Sequence, residues 1–355
     1  MNQFITLLKA HQTEFEKYYG ARLNQDIRRA MSDMLHCKND RTRYTQWHCS
    51  HCQHDQQQLA SCGNRNCSQC LHQTTSNWLA RQTDKLLPVH YFMVTLTLPF
   101  QLRSLAMQHP KALYKIMFQV SAELLKGFAT RQKKGELGFT TVLHTHNRKR
   151  DLHPHLHIIV PSGRYDPIKK QFFKGDKAYL FNAFSLAKVW RAKMIDAINK
   201  SKILAIPTGL PKQWVVDCRK VGFGLSSFQY LSLYLYRGVL PDKDIINIHN
   251  GLVTFQYKKG GSNITETRTL PALKFLWLIL QHVLPKGLQR VRDYGFLRGN
   301  AKKLRLQIQL ILGLFVKQPS VENEEKGRGV HICPCCQHSM KLVGFHRLKL
   351  SEIGL

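Results

Sequence analysis

Acidic side chains are scarce in this chain: 22 Asp and Glu stand against 53 Lys and Arg, a net charge of +31 over 355 residues. A chain so charged repels itself until a polyanion neutralises it, which points first to nucleic acid and second to an anionic membrane surface. Long apolar runs are also missing. The most apolar stretches, 273–280 and 306–316, are short and interrupted by polar residues, so no bilayer-spanning helix is expected. Nor is there a basic amphipathic helix suited to a membrane surface, and no membrane partner is expected. The N-terminus lacks a basic segment followed by a clean apolar one, so the chain reads as cytoplasmic and nucleoid-associated. No G-x-x-x-x-G-K-[ST] occurs, which argues against a nucleotide cofactor; Lys259-Gly-Gly-Ser262 reads as a hairpin turn instead.

What is present suits a folded protein of two or three domains: 43% hydrophobic residues over 355 positions. Ten cysteines in a chain without a secretory leader suggest metal rather than disulfides. Cys49-Ser-His-Cys52 and Cys67-Ser-Gln-Cys70 are two C-x-x-C pairs with fourteen residues between them. Four thiolates so spaced can converge on Zn²⁺, and short loops with few large apolar residues need such a metal to fold. Cys37 and Cys62, with His36, His48, His51, His54 and His72 nearby, leave donors for a second zinc. Ahead of them, Phe4, Leu7, Leu8 and Phe15, then Ile27, Met31, Met34 and Leu35, fall at helical spacing. A basic zinc module of this kind grips DNA.

The stretch His153-Pro-His155-Leu-His157-Ile-Ile-Val160 carries the chemistry. On a strand, His155 and His157 share one face, about 7 Å apart, while Leu156, Ile158 and Val160 point into a core. Two further runs read as strands: 90–98, ending at Pro99, and 138–144. The basic loop Arg148-Lys149-Arg150 joins the latter to the histidine strand, most simply as an antiparallel hairpin. In that register His144 faces His155 and becomes the third candidate ligand, with His146 and His153 as rivals. Pro154 is expected to bend the chain away from His153. Imidazole ligation suits Zn²⁺, Mn²⁺ or Co²⁺, and Mg²⁺ where a substrate phosphate adds oxygens.

Residues 110–129 and 174–199 have helical spacing, and 213–217 reads as a short strand. In Tyr230-Leu-Ser-Leu-Tyr234-Leu-Tyr236-Arg237, Tyr/Leu alternation fits a strand, while Tyr230 and Tyr234 fit one face of a helix. Beyond these, 245–248 and 252–257 read as a hairpin turning at Asn250-Gly251, and 273–283 and 302–314 as helices. Residues 319–328 read as a linker, and 341–355 as a basic tail. Cys333-Pro-Cys-Cys336, flanked by His331 and His338, is a candidate zinc knuckle two thiolates short of a full set.

Together these motifs resemble the HUH-type endonucleases, and within them the two-tyrosine rolling-circle transposases of bacterial insertion sequences (the insertion-sequence ninety-one family). Val94-Thr-Leu-Thr-Leu98-Pro99 resembles the family's first core strand, and His153-Pro-His155-Leu-His157 its metal motif. The segment from Tyr230 to Arg237 resembles its nucleophile helix, and Ser61-Cys-Gly-Asn-Arg-Asn-Cys67-Ser-Gln-Cys70 its zinc module. Gly251-Leu-Val-Thr-Phe-Gln-Tyr257-Lys258, His282-Val-Leu-Pro-Lys-Gly287 and Tyr294-Gly-Phe-Leu297 resemble its C-terminal half. Tyr236 departs from the family pattern.

The resemblance implies an α+β fold, with a central antiparallel sheet flanked by helices behind an N-terminal helical zinc-binding domain. It divides the chain into 1–85 (zinc and DNA binding), 86–240 (nuclease core), 241–318 (hairpin and helices) and 319–355 (linker and knuckle). It implies Mg²⁺ or Mn²⁺ at His144, His155 and His157, structural Zn²⁺ on the cysteines, and a helix presenting Tyr230 and Tyr234. A tyrosine attacks a phosphodiester of single-stranded DNA, leaving a 5′-phosphotyrosine and a 3′-hydroxyl, so rejoining needs no ATP. Arg148, Lys149, Arg150 and Arg237 are the candidate DNA contacts, with Tyr165, Phe172 and Phe173 as stacking aromatics. Terminal DNA hairpins and host replication factors are the candidate partners. Two alternatives are a plasmid replication initiator or relaxase using the same chemistry, and a non-catalytic zinc-finger regulator.

Overall fold

The computed structural model describes residues 2–39, 43–67, 70, 72–132, 135–236, 239–259, 262, 264–314 and 331–347, with 72–77, 131–132, 233–236 and 347 described by backbone alone. The expected linker 319–328 lies outside the described residues; of the stretch read as a basic tail, 341–355, residues Lys341–Arg347 form a strand instead, paired with Arg43–His48, and the rest lies outside the described residues.

The fold is α+β. Its centre is a five-stranded sheet in the order Val291–Tyr294, Phe139–His146, Leu152–Pro161, Tyr91–Thr97, Val216–Lys220. All four pairings are antiparallel. Alternation along these strands produces two unlike faces. On one, Val94, Leu96, Leu143, Leu156, Ile158 and Val160 bury against the helices Pro110–Gln132 and Ala183–Asn199. Trp190 on the second helix is fully buried and donates its indole N–H to the Thr97 carbonyl at 3.2 Å. On the other face Tyr91, Val142 and Ile159 pack against Trp78 of the helix His72–Thr83 and against Phe228 and Leu231 of the helix Leu225–Tyr236.

The remaining cores do not follow chain order. Helices Gln3–Ala10, Gln12–Tyr19 and Gln25–Leu35 share one core with Val253, Phe255, Phe275 and Leu276. These belong to a sheet of Ile245–His249, Leu252–Lys258 and Thr265–Pro271 and to the helix Ala272–Leu280. The Asp242 carboxylate accepts from the amides of Gln3 and Phe4 at 3.0 Å each, holding the first helix by its N-terminus. Segments 1–85 and 241–318, separate in the sequence reading, therefore meet, and the strand Val291–Tyr294 joins the sheet of 86–240. Sequence-local patterns register the helices but not which distant apolar stripe covers them.

Several boundaries move. The pattern from Phe4 to Phe15 is split at His11 into two helices. The helix read over 174–199 begins at Ala183, where the Asn182 side chain accepts from the Ser185 amide at 2.9 Å. The strand read over 213–217 runs Val216–Lys220, and the helix read over 273–283 ends at Leu280. The hairpin turn is where it was read: Asn250 and Gly251 have φ of 48° and 72°, a pair of left-handed positions that two-residue hairpins require. No described helix is long and apolar enough to cross a membrane.

Candidate active site

Antiparallel pairing sets His144 opposite His155 and Val142 opposite His157. Alternation then places His144, His155 and His157 on one face. Their rings converge: centroids lie 4.6 Å apart for His144 and His157, 4.8 Å for His155 and His157, and 5.2 Å for His144 and His155. One ligand atom from each lies within 4.8 Å of the others, a separation one cation can span.

Hydrogen bonds aim the rings. His155 Nδ1 lies 2.6 Å from the His153 carbonyl, so it carries the proton and Nε2 keeps its lone pair. His157 Nδ1 is 3.1 Å from the Thr95 hydroxyl. Burial pushes the His155 imidazole down to about 4 and the His157 imidazole to about 3. His144 is held well below the ordinary histidine range by burial, with the neighbouring imidazoles and Arg290 adding to it. All three are neutral near pH 7, the form that binds a metal. A divalent ion fits this donor set.

The rivals are engaged elsewhere. A register shift between His144 and His146 turns the latter toward His282, 5.2 Å away between centroids. His153 Nδ1 lies 3.2 Å from the Arg103 guanidinium. Pro154 does not break the strand, which runs unbroken from Leu152 to Pro161 because Leu98 donates its amide to the Pro154 carbonyl at 3.2 Å.

The tyrosine stretch is helical, which settles the strand–helix ambiguity. Its apolar positions Phe228 and Leu231 sit on the face of the sheet that carries the three histidines, next to Val142 and Ile159. Gly224, with φ of 88°, lets the chain enter this helix close against Tyr91: an added Cβ would lie 2.9 Å from that ring. Tyr230 is 37% exposed. Tyr234 lies one helical turn further on and is described by its backbone alone, as is Tyr236.

The cysteines do not divide as their spacing suggested. Cys67 and Cys70 gather with Cys37 and Cys62, whereas Cys49 and Cys52 gather with Cys333 and Cys336. The reason is the hairpin of Arg43–His48 and Asp55–Leu59, which carries the first C-x-x-C away at its tip. Spacing along the chain sets the length of a loop, not its direction. The Cys37–Cys70 and Cys62–Cys70 sulfurs lie 3.4 and 3.6 Å apart, near the edge of about 3.8 Å expected for four sulfurs around one zinc.

Of the candidate DNA contacts, Arg148 and Lys149 are exposed on the loop between the two histidine-bearing strands. Arg148 donates to the Lys259 carbonyl at 2.6 Å, and Arg268 donates to the Lys149 carbonyl at 2.9 Å, so the loop is tied to the small sheet. Arg150 is half-buried there, and Arg237 lies outside the described residues. Two of the aromatics read as stacking groups are corrected: Tyr165 and Phe172 are buried in a core; Phe173 is half-buried with the Arg164 guanidinium over its ring. Sequence reading missed Thr95 and Arg290. Thr95 was legible as a polar residue on the histidine-side register of an otherwise apolar strand. Arg290 left no local signal. It also lines a cleft of about 910 Å³ with Arg65, Trp78, Arg292 and Arg298, between the Cys37 cluster and the edge of the main sheet.

Comparison with known proteins agrees with this architecture. A family described as a putative transposase matches residues 138–305, and the transposase zinc-binding domain matches residues 7–98. A putative transposase, y4qJ, of Sinorhizobium fredii is 28% identical over 330 residues, 83% of this chain and 83% of its own. The transposase for insertion sequence element IS801 of Pseudomonas savastanoi pv. phaseolicola is 23% identical over 267 residues, 69% of this chain and 63% of its own. No solved structure matches. Two cysteine clusters able to hold zinc, the histidine-bearing sheet and both family matches support one conclusion: a transposase of the insertion-sequence ninety-one (IS91) type, an enzyme acting on DNA, with an N-terminal zinc-binding module.

Proposed function

We propose that this transposase nicks and rejoins single-stranded DNA at the ends of its element through 5′-phosphotyrosine intermediates, as rolling-circle transposition requires. The observation that carries the reading is the shared face: three convergent imidazoles and the tyrosine helix lie on the same side of one sheet. His144, His155 and His157 would hold Mg²⁺ or Mn²⁺, which supplies Lewis-acid polarisation of the scissile phosphate. The Tyr230 or Tyr234 oxygen forms a bond to phosphorus as the bond to the 3′ oxygen breaks. The phenolic proton is given up, and the departing 3′ oxygen gains one. Attack by another 3′-hydroxyl reverses the step and releases the tyrosine, so the phosphodiester energy is retained. Two tyrosines allow two strands to be held at once. The arginines of the cleft, with Arg148 and Lys149, provide the charge that keeps a phosphate backbone near the site. Folded terminal hairpins supply part of the end recognition.

The test is formation of a covalent adduct. Protein incubated with single-stranded terminus DNA and Mn²⁺ or Mg²⁺ should give a species of retarded mobility on a denaturing gel. Tyr230→Phe or Tyr234→Phe should remove it or move it to the other tyrosine, as read by peptide mapping. Absence of an adduct with every divalent metal overturns the reading.

A further inference from the structure

The chain carries one six-residue pattern twice, as Cys49-Ser-His-Cys52-Gln53-His54 and as Cys333-Pro-Cys-Cys336-Gln337-His338. The two copies fold alike. In the first, the Cys49 amide donates to the His54 carbonyl at 2.9 Å and the Gln53 amide to the Cys49 carbonyl at 2.8 Å. In the second, the Cys333 amide donates to the His338 carbonyl at 2.8 Å and the Gln337 amide to the Cys333 carbonyl at 3.0 Å. Gln53 and Gln337 adopt the same left-handed backbone, with φ of 61° and 62°.

The two turns face each other. Cys49 and Cys336 sulfurs are 3.5 Å apart, and so are those of Cys52 and Cys333. Four sulfurs at about 2.3 Å from a tetrahedral zinc would be about 3.8 Å apart, so the set is drawn up around a volume that one ion fills. The flanking rings repeat the pairing: Trp47 stacks on His331 and His51 on His338, at 4.6 and 3.8 Å between centroids. The strand Lys341–Arg347, which follows the second turn, lies antiparallel on Arg43–His48.

We propose that Cys49, Cys52, Cys333 and Cys336 form a single zinc-thiolate clasp that binds the C-terminal segment 331–347 to the N-terminal hairpin. The zinc-binding module is thereby completed by residues far outside the 7–98 match. Neither turn can serve alone, because a structural zinc takes four protein ligands and the first turn offers two thiolates and the second, even with the exposed Cys335, three. Apolar burial cannot hold the segment either. Its strand leaves Val343 62% and Phe345 77% exposed, and the cluster beneath it is built from little more than Met340, Trp47 and the cysteines themselves. Metal binding therefore supplies the docking free energy. The proposal is independent of the histidine site and of the phosphotyrosine reading.

Zinc content of the full-length protein tests it. The double variant C333S/C336S should lose one zinc per chain, as should C49S/C52S, and the combined fourfold variant should again lose one and not two. Cys335→Ser, at the exposed thiol within the second turn but outside the four-sulfur set, should lose none. A second measurement on the unmodified protein guards against misfolded variants: chelator titration with thiol alkylation and mass mapping. Cys49, Cys52, Cys333 and Cys336 should become reactive together, in step with protease cleavage of the C-terminal segment. Loss of two zincs in the fourfold variant overturns the clasp. So does alkylation of Cys333 and Cys336 while Cys49 and Cys52 stay protected.

Discussion

The two faces of the central sheet are made by the same strands and do different work. One buries Leu143, Leu156, Ile158 and Val160 under two helices, with no polar side chain from the histidine strand among them. The other begins the same way, with Val142 and Ile159 under the tyrosine helix, and then changes to His144, His155 and His157. Three imidazoles buried together add little packing and each carries a desolvation cost, whereas the aliphatic face removes apolar area from water at every position. One residue in two thus serves stability, which leaves its neighbours for the metal chemistry proposed above. The strand's rigidity links the two, since the packed face fixes where the imidazoles stand.

Substitutions on opposite faces should separate these roles, and the largest effect falls on the histidines. His155→Ala or His157→Ala should reduce adduct formation by more than about 100-fold, with a melting temperature close to that of the unmodified protein. Calorimetry and the denaturing-gel assay read the two quantities on the same samples. Equal loss of stability and activity would collapse the distinction between the faces.

Leu156→Ala, between those two histidines on the packed side, should cost about 2–5 kcal/mol in denaturant unfolding and leave the Mn²⁺ affinity of the folded protein unchanged. Thr95→Val removes the hydroxyl beside His157 Nδ1. It should weaken metal binding about 10–100-fold by titration calorimetry, with a stability change under about 1.5 kcal/mol. Gly224→Ala should have the smallest effect. Its φ of 88° and the Tyr91 ring 2.9 Å from the added Cβ make a cost of about 1–2 kcal/mol. Metal affinity should hold while adduct formation falls, because the tyrosine helix is displaced and the histidines are not.

Much of this molecule was legible in local pattern. The alternation of His155, Leu156, His157 and Ile158 determined which side chains would share a face, because a strand has a period of two. The hairpin through Arg148–Arg150 was short enough for the His144–His155 register to be read from it, and Asn250-Gly251 named its own turn. Tertiary structure decided the rest. Whether the tyrosine stretch was helix or strand hung on its packing against Val142 and Ile159, since both periods fit the same eight residues. Tyr165 and Phe172 went to a core because a small hairpin folds them inward. The cysteines re-paired across the whole chain, Cys52 with Cys333 over 281 residues, and no spacing rule reaches that far. A sequence determines the conformations its neighbours permit; which distant groups then meet is decided by the direction in which rigid strands and turns carry them.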